Sequence, residues 1–540
     1  MATDRSTGIR DQFGRDGELP LGPTLLSGAV VAATLFPLVW VVAAALDAEG
    51  TLALLSRPGT WEVFLNSVVL VVAVTAACLV LGVPAAYLTA RTDLPFRRAF
   101  AVLLALPLVI PSYIGAFTFV AAFGPRGTLQ DLLLPLGIER LPSIYGLGGA
   151  ALVLTLYTYP YVFVTTRAAL RSMDTRLVDA ARTLGHARRE AFGRVIAPQI
   201  GPAVGAGSLL SALYALSDFG TPAIMRFDAF TRVIYVASGD ALGGGRDLAA
   251  LLSLQLVTVA LVLLAVESRL SGAGVRSDRT DARARRVPLG RWRWPAAAAC
   301  GVVVALALAV PLAVLGDWLV GSRTVAREVV GFTPAAVFNS VGVAGAAALA
   351  AALASLPVAY LANRSESPVA RLFERAAYVG YAVPGVVMGL ALVFFGAEYG
   401  GALYRNGVVL LPLLVFAYVV RFLPQSVGPT RAAFTQVGAS LPEAARTLGC
   451  SPLRAFRRVT LPLVASGVLG GAALVFLTTM RELPATLLLR PAGFETLVTR
   501  LWTAYRAGYP AEAALPALAL LVVSAASMAV VFGMEGYDLG

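Results

Sequence analysis

The chain is 540 residues long, 58% hydrophobic and only 14% charged, with a mean hydropathy of +0.77 and a formal net charge of +12. That balance excludes a soluble globule of average composition, and the length is many times that of one membrane span. All 43 basic residues are arginine, which excludes a phosphate-binding loop of the lysine-dependent type and, with it, an ATPase site of that kind in this polypeptide.

A hydrocarbon core about 30 Å thick and a helical rise of about 1.5 Å per residue make runs of roughly 17–25 apolar residues the mark of a spanning helix. Twelve runs are predicted, at 24–46, 63–90, 99–122, 146–166, 200–220, 248–266, 295–315, 336–362, 376–395, 407–420, 463–480 and 513–534. The tenth is short and interrupted by Pro412. The first follows a polar leader, residues 1–23, with no small-residue cleavage site behind a short apolar core, so it is expected to be a retained helix. The predicted class is therefore an all-α polytopic membrane protein with about 12 transmembrane helices.

Arginine placement orients the set. With the N-terminus inside, the inner segments hold 30 arginines and 16 acids, and the outer segments hold 13 arginines and 15 acids. Both termini are then cytoplasmic and the location is the cell membrane. Topology accounts for the basic charge, and nucleic-acid binding loses its motive. The three cysteines, Cys78, Cys300 and Cys450, are far apart and His186 is the sole histidine, so no metal or cofactor site is expected on this chain.

The sequence repeats itself. Asn66-Ser67-Val68 recurs as Asn339-Ser340-Val341, the Pro84…Arg91 pattern recurs as Pro357…Arg364, and Pro111 recurs as Pro384, all 273 positions on. Farther along, residues 180–185 (AARTLG) recur as residues 444–449 at an offset of 264. A tandem duplication with six spans per copy gives two halves of the same orientation. The expected organisation is a leader (1–23), a first half (24–266), a cytoplasmic linker (267–294) and a second half (295–540).

In each copy the second anchor falls in a cytoplasmic loop between spans four and five, residues 167–198 and 421–462. Pro442 and Glu443 suit a helix's first turn, Ala444 and Ala445 extend it with little bulk, and Gly449 can take the positive φ that ends it. Ser451 and Pro452 then suit the N-cap and first position of a following helix. A helix, a sharp turn and a second helix make a knob on which another protein's backbone can close. A basic helix lying on anionic headgroups is the competing reading for one such loop, and two loops in matching positions favour docking.

The pattern E-A-A, three residues, G, nine residues, I-x-L-P resembles the EAA loop of inner-membrane permeases of ABC importers. The second copy carries it at Glu443, Ala444, Ala445, Gly449, Val459, Leu461 and Pro462. The first copy keeps Ala180, Ala181, Gly185, Val195 and Pro198, with Asp179 for the acid and Ala197 for the leucine. The resemblance implies a type I ABC importer permease fold in a fused two-copy format. It also implies coupling helices that insert into two separate ATPase subunits, ATP bound on those partners, and an extracytoplasmic solute-binding protein.

The stretch 481–502 and its counterpart 217–236 align Glu482 with Asp218 and Phe494 with Phe230. This segment resembles the ferric-iron branch of the family, while thiamine, sulfate and phosphonate permeases share much of the pattern. A carboxylate at the end of a span suits a hard cation such as iron(III), placing Asp218, Arg481 and Glu482 on a substrate pathway. The alternative is structural: an ion pair or cap in which a nearby arginine such as Arg481 holds the carboxylates. An ion-coupled secondary transporter also favours twelve spans in two related halves, but it keeps ionisable groups at mid-membrane, and within the predicted spans only Asp218, near an end, is of that kind. An intramembrane enzyme is disfavoured, because no nucleophile, base and metal set converges in the spans.

Overall fold

The computed structural model describes residues 21–48, 51–125, 127–137, 142–173, 180–181, 183–185, 187, 190, 192–240, 245–271, 286–321, 333–365, 367–437 and 440–534. Helix is found at all twelve predicted positions. Among the described residues, nine helices are long and apolar enough to cross a bilayer, and two further spans are pairs of helices bent by 97° and 98°. The twelfth helix is Ala514–Met534. The chain is an all-helical polytopic membrane protein.

The two bent spans are the third (Arg97–Leu103, a 3-10 turn Leu106–Val109, then Ser112–Phe123) and the ninth (Pro368–Ala382, then Gly385–Tyr399). Each breaks at the duplicated proline. A proline ring pushes the preceding residue out of the helical region, and Ile110 and Val383 accordingly adopt ψ of 119° and 115°. Pro111 and Pro384 then start the second helix of each pair, where a missing N–H leaves no bond unmade. The prolines inside the fourth and tenth spans, Pro160 and Pro424, leave those helices unbroken.

Span limits differ from the sequence reading in one place that matters. The tenth span is not the short run 407–420 but the 28-residue helix Leu410–Val437. Residues 421–437, assigned above to a cytoplasmic loop, are therefore helix, and Arg421 lies inside a span. Pro412 sits in that helix's first turn, where proline is tolerated and does not interrupt. The sixth helix runs to Ser271 and the seventh begins with a turn at Gly290; residues 272–285, the middle of the expected linker, lie outside the described residues.

The halves are not separate bodies. The first span, Leu21–Leu46, packs on Pro334–Arg364, Pro368–Ala382 and Gly385–Tyr399 of the second half, with Phe36 and Trp40 meeting Phe395 at ring distances of 5.0 and 5.5 Å. The seventh span reciprocates on the first half: Trp318 lies 4.9 Å from Phe117, and the Tyr157 hydroxyl donates to the Ala307 carbonyl at 3.3 Å. Spans four and five, and ten and eleven, approach closely at a duplicated glycine. A Cβ on Gly207 would lie 2.8 Å from the Val162 Cα, and one on Gly471 2.8 Å from the Ser426 Cα.

The structure explains the repeated Asn-Ser pair. Ser67 Oγ accepts from the Phe230 N–H and Ser340 Oγ from the Leu497 N–H, both at 2.8 Å, while Asn66 and Asn339 donate to the Asp228 and Glu495 carbonyls. These bonds tie the second and eighth spans to the helices Phe230–Ser238 and Leu497–Arg506, which would otherwise start with unpaired amides.

Candidate functional site

The two proline bends open onto a cavity of about 180 Å³ at the junction of the halves, lined among others by Tyr113, Tyr161, Asp218, Arg421, Arg481 and Glu482. Asp218 and Glu482 each follow a long span, Ala197–Ser217 and Leu461–Met480, and precede a short helix, Gly220–Ile224 and Pro484–Leu489. Each carboxylate accepts the amide three residues on: Thr221 N–H at 2.8 Å for Asp218 and Ala485 N–H at 3.2 Å for Glu482. Each carboxylate thus supplies one of the short helix's missing acceptors from the residue just ahead of the N-cap, which is Phe219 in the first half and Leu483 in the second.

Their remaining oxygens are satisfied differently. Asp218 accepts from the Ser112 hydroxyl at 2.5 Å, and Tyr214 donates to the same hydroxyl at 3.2 Å. Glu482, 7% exposed, forms an ion pair with Arg421, which reaches across from the tenth span. The residue equivalent to Ser112, at the offset of 273, is Gly385, and its missing side chain is what admits the guanidinium. A Cβ there would lie 2.1 Å from Glu482 Oε1 and 2.2 Å from an Arg421 terminal nitrogen. At the offset of 264, the first-half counterpart of Arg421 is Tyr157. The duplicated frame therefore holds one carboxylate by a hydroxyl and the other by a cation.

Arg481 does not hold either carboxylate. Its guanidinium crosses to the first half and donates to the Leu108 and Val109 carbonyls at 2.7 and 3.4 Å, and Tyr113 donates back to the Arg481 carbonyl at 3.4 Å. The 3-10 turn ahead of Pro111 frees those carbonyls, so the clasp uses acceptors that the bend exposes. The alternative in which a nearby arginine such as Arg481 holds the carboxylates is corrected as to the arginine: the one that pairs with Glu482 is Arg421. The reading that the spans hold almost no ionisable group is corrected with it.

At the other end lie the duplicated loops. Ser440–Thr447 is a helix with Glu443 in its first turn; Gly449 follows at φ 88°, with Cys450 N–H bonded to the Ala445 carbonyl at 3.1 Å. Ser451 and Pro452 occupy the N-cap and first position of the next helix, although the Ser451 hydroxyl makes no capping bond. In the first copy Gly185 has φ 86° and Ala180 and Ala181 are helical; Asp179 and His186 lie outside the described residues. Glu443 pairs with Arg364 at 3.2 Å, joining the loop to the end of the eighth span. Pro198 and Pro462 sit in the first turns of the fifth and eleventh spans, one helical segment away from the tips. Sequence reasoning passed over the two leucines before the glycines: Leu184 and Leu448 are 80% and 85% exposed, and their identical placement in both copies was the signal available.

Residues 78–323 and 355–537 match the family described as "Binding-protein-dependent transport system inner membrane component", two successive matches of which the first runs through the seventh span. The chain belongs to this family. It is 28% identical to the "Fe(3+)-transport system permease protein FbpB 2" of Haemophilus influenzae, over 89% of this chain and 92% of that protein. It is 27% identical to the "Probable ABC transporter permease protein y4fN" of Sinorhizobium fredii, over 96% of each. Over a shorter stretch it is 31% identical to the "Molybdenum transport system permease protein ModB" of Mycobacterium tuberculosis, covering 38% of this chain and 75% of that one.

In this ABC importer permease, Gly385 offers a direct check on the cavity. Gly385→Ala should displace the Arg421–Glu482 pair and lower stability by about 1–3 kcal/mol, the usual cost of overpacking. Thermal unfolding in detergent reads the loss; a variant that melts with the parent would place the pair elsewhere.

Proposed function

We propose that this permease moves iron(III) delivered by an extracytoplasmic binding protein, and that two separate ATPase subunits, which carry the ATP, drive it by docking on the loops around Gly185 and Gly449. Both termini and both loops then face the cytoplasm. The permease contributes no ATPase site and no cofactor of its own. Asp218, Arg481 and Glu482 act on the pathway, and Asp179, Ala180, Ala181, Gly185, Pro198, Glu443, Ala444, Ala445, Gly449 and Pro462 form the coupling segments.

The observation that carries the cargo reading is Asp218: a carboxylate on the cavity wall whose described partners are a hydroxyl and an amide, not a cation. Such a group can meet a hard cation, and phenolic and carboxylate oxygens are the ligands iron(III) prefers. The similarity to an Fe(3+) permease over nearly the whole of both chains supports the same reading. The two guanidinia favour a second cargo, an oxyanion, for which the molybdenum of the shorter relative's name is a candidate element. Both, however, already have acceptors, Glu482 for Arg421 and two carbonyls for Arg481. The exposed Leu184 and Leu448 support the docking reading, since apolar tips on polar loops gain by burial against a partner.

The test is ATPase activity in proteoliposomes holding the permease, the ATPase and a binding protein. Iron(III)-loaded binding protein should stimulate turnover several-fold over the apo form, and Asp218→Asn should abolish iron uptake. Stimulation by a molybdate-loaded binding protein in place of the iron-loaded one would replace the cargo reading. Uptake with no ATPase present would overturn the driven mechanism.

A further inference from the structure

The linker rejoins the bundle at a defined place. Val287 pairs in parallel with Thr92: its N–H donates to the Arg91 carbonyl at 2.8 Å and its carbonyl accepts from the Asp93 N–H at 3.3 Å. Asp93 Oδ1 also accepts from the Leu289 N–H at 2.8 Å, so this carboxylate is used to hold backbone. These bonds pin the start of the seventh span beside the start of the third and gather Arg97, Arg98 and Arg286. Arg97 feels the charges of Arg98, Arg171 and Arg286 as repulsion. None of the ion pairs found among the described residues involves Arg97, Arg98 or Arg286.

Aromatic rings stand around this charge. Phe96 is 73% exposed and holds a left-handed backbone at φ 55°, which is strained for a bulky residue and turns the ring outward. Trp292 and Trp294 are 62% and 58% exposed, with the Arg291 and Arg293 guanidinia over their rings at 5.8 and 5.4 Å. Two spans begin here, so the cluster sits at the bilayer boundary. There aromatic rings settle at headgroup level and arginines meet phosphate oxygens. Most of the group is not part of the duplicated machinery: at the offset of 273 Phe96 and Arg97 correspond to Val369 and Ala370, and only Arg98 has a basic counterpart, Arg371.

We propose that Arg97, Arg98 and Arg286, flanked by Phe96, Trp292 and Trp294, bind the headgroup of an anionic phospholipid in the inner leaflet. The positive charge, unpaired among the described residues, selects an anionic headgroup, and the exposed rings require acyl chains beside it. A lipid held here bridges the two halves at the point where the linker returns.

Native mass spectrometry of the full-length permease in mild detergent, titrated with phosphatidylglycerol or phosphatidylcholine, tests this without ATPase or cargo. The parent protein should hold phosphatidylglycerol selectively, and Arg97→Gln/Arg98→Gln/Arg286→Gln should bind it at least about tenfold more weakly. The corresponding triple lysine variant should retain binding, which separates lost charge from lost folding. Equal retention of the two lipids by the parent, or unchanged retention in the glutamine variant, would overturn the proposal. So would full displacement of the lipid by millimolar inorganic phosphate, which would make this a phosphate site with no need of the rings.

Discussion

Glu482→Ala protein should be less stable than the parent by about 3–5 kcal/mol, while Arg421→Met/Glu482→Leu should recover most of the loss. Glu482 is 7% exposed and the Arg421 side chain 15%, so deleting the carboxylate leaves a largely buried guanidinium without the anion that paired it. Replacing both by apolar residues of similar volume removes the desolvation cost along with the attraction, which is why such exchanges are often neutral. Glu482 additionally accepts from the Ala485 N–H, so a small residual deficit, about 1 kcal/mol, should persist in the double variant. Thermal unfolding of the four proteins of the cycle gives the coupling. Uptake then separates architecture from transport: a double variant that folds like the parent but moves no cargo places the pair on the pathway. A single variant as stable as the parent would show that the pair is not buried.

Gly185→Val/Gly449→Val should insert and fold normally and yet abolish uptake and weaken co-purification of the ATPase. Both glycines hold φ near +87°, at 86° and 88°, and a Cβ at either would meet nothing within 4 Å. The penalty is therefore backbone strain alone, about 1–2 kcal/mol per site and more for a β-branched residue. The loop relieves that strain by abandoning the turn, because none of Ser440–Thr447 is buried against the rest of the protein. Nothing in the spans changes, while Leu184 and Leu448 lose their presentation. Gly185→Asn/Gly449→Asn is the matched control, since asparagine tolerates the left-handed region, and it should retain most uptake. Normal uptake by the valine pair would remove the mechanical role of the loops.

Much of the architecture was legible because bilayer thickness leaves few choices. An apolar run of the right length must be a helix, since an unpaired peptide group in hydrocarbon is too costly. The duplicated Pro111 and Pro384 were visible as anchors, but that they bend their spans by 97° and 98° was not, because Pro160 and Pro424 lie inside helices that continue. A proline's outcome depends on whether neighbours satisfy the carbonyls it orphans. Arg421 was misplaced for a related reason. Hydropathy read a charged residue as the end of the tenth span, and only a carboxylate from the eleventh could make it tolerable inside.

The sequence by itself determined the class, the twofold internal repeat, the twelve helical positions and the loop motif with its positive-φ glycines, all of which follow from local composition and spacing. Only the tertiary structure decided that the halves exchange their first spans and that Arg421, not Arg481, meets Glu482. It alone showed that Gly385 is small in order to admit the guanidinium, that Arg481 clasps the opposite half, and that the linker returns beside Arg97. Those facts concern which distant side chains share one low-dielectric space. A buried charge is stable only with its partner in reach, and the chain order holds no record of that distance.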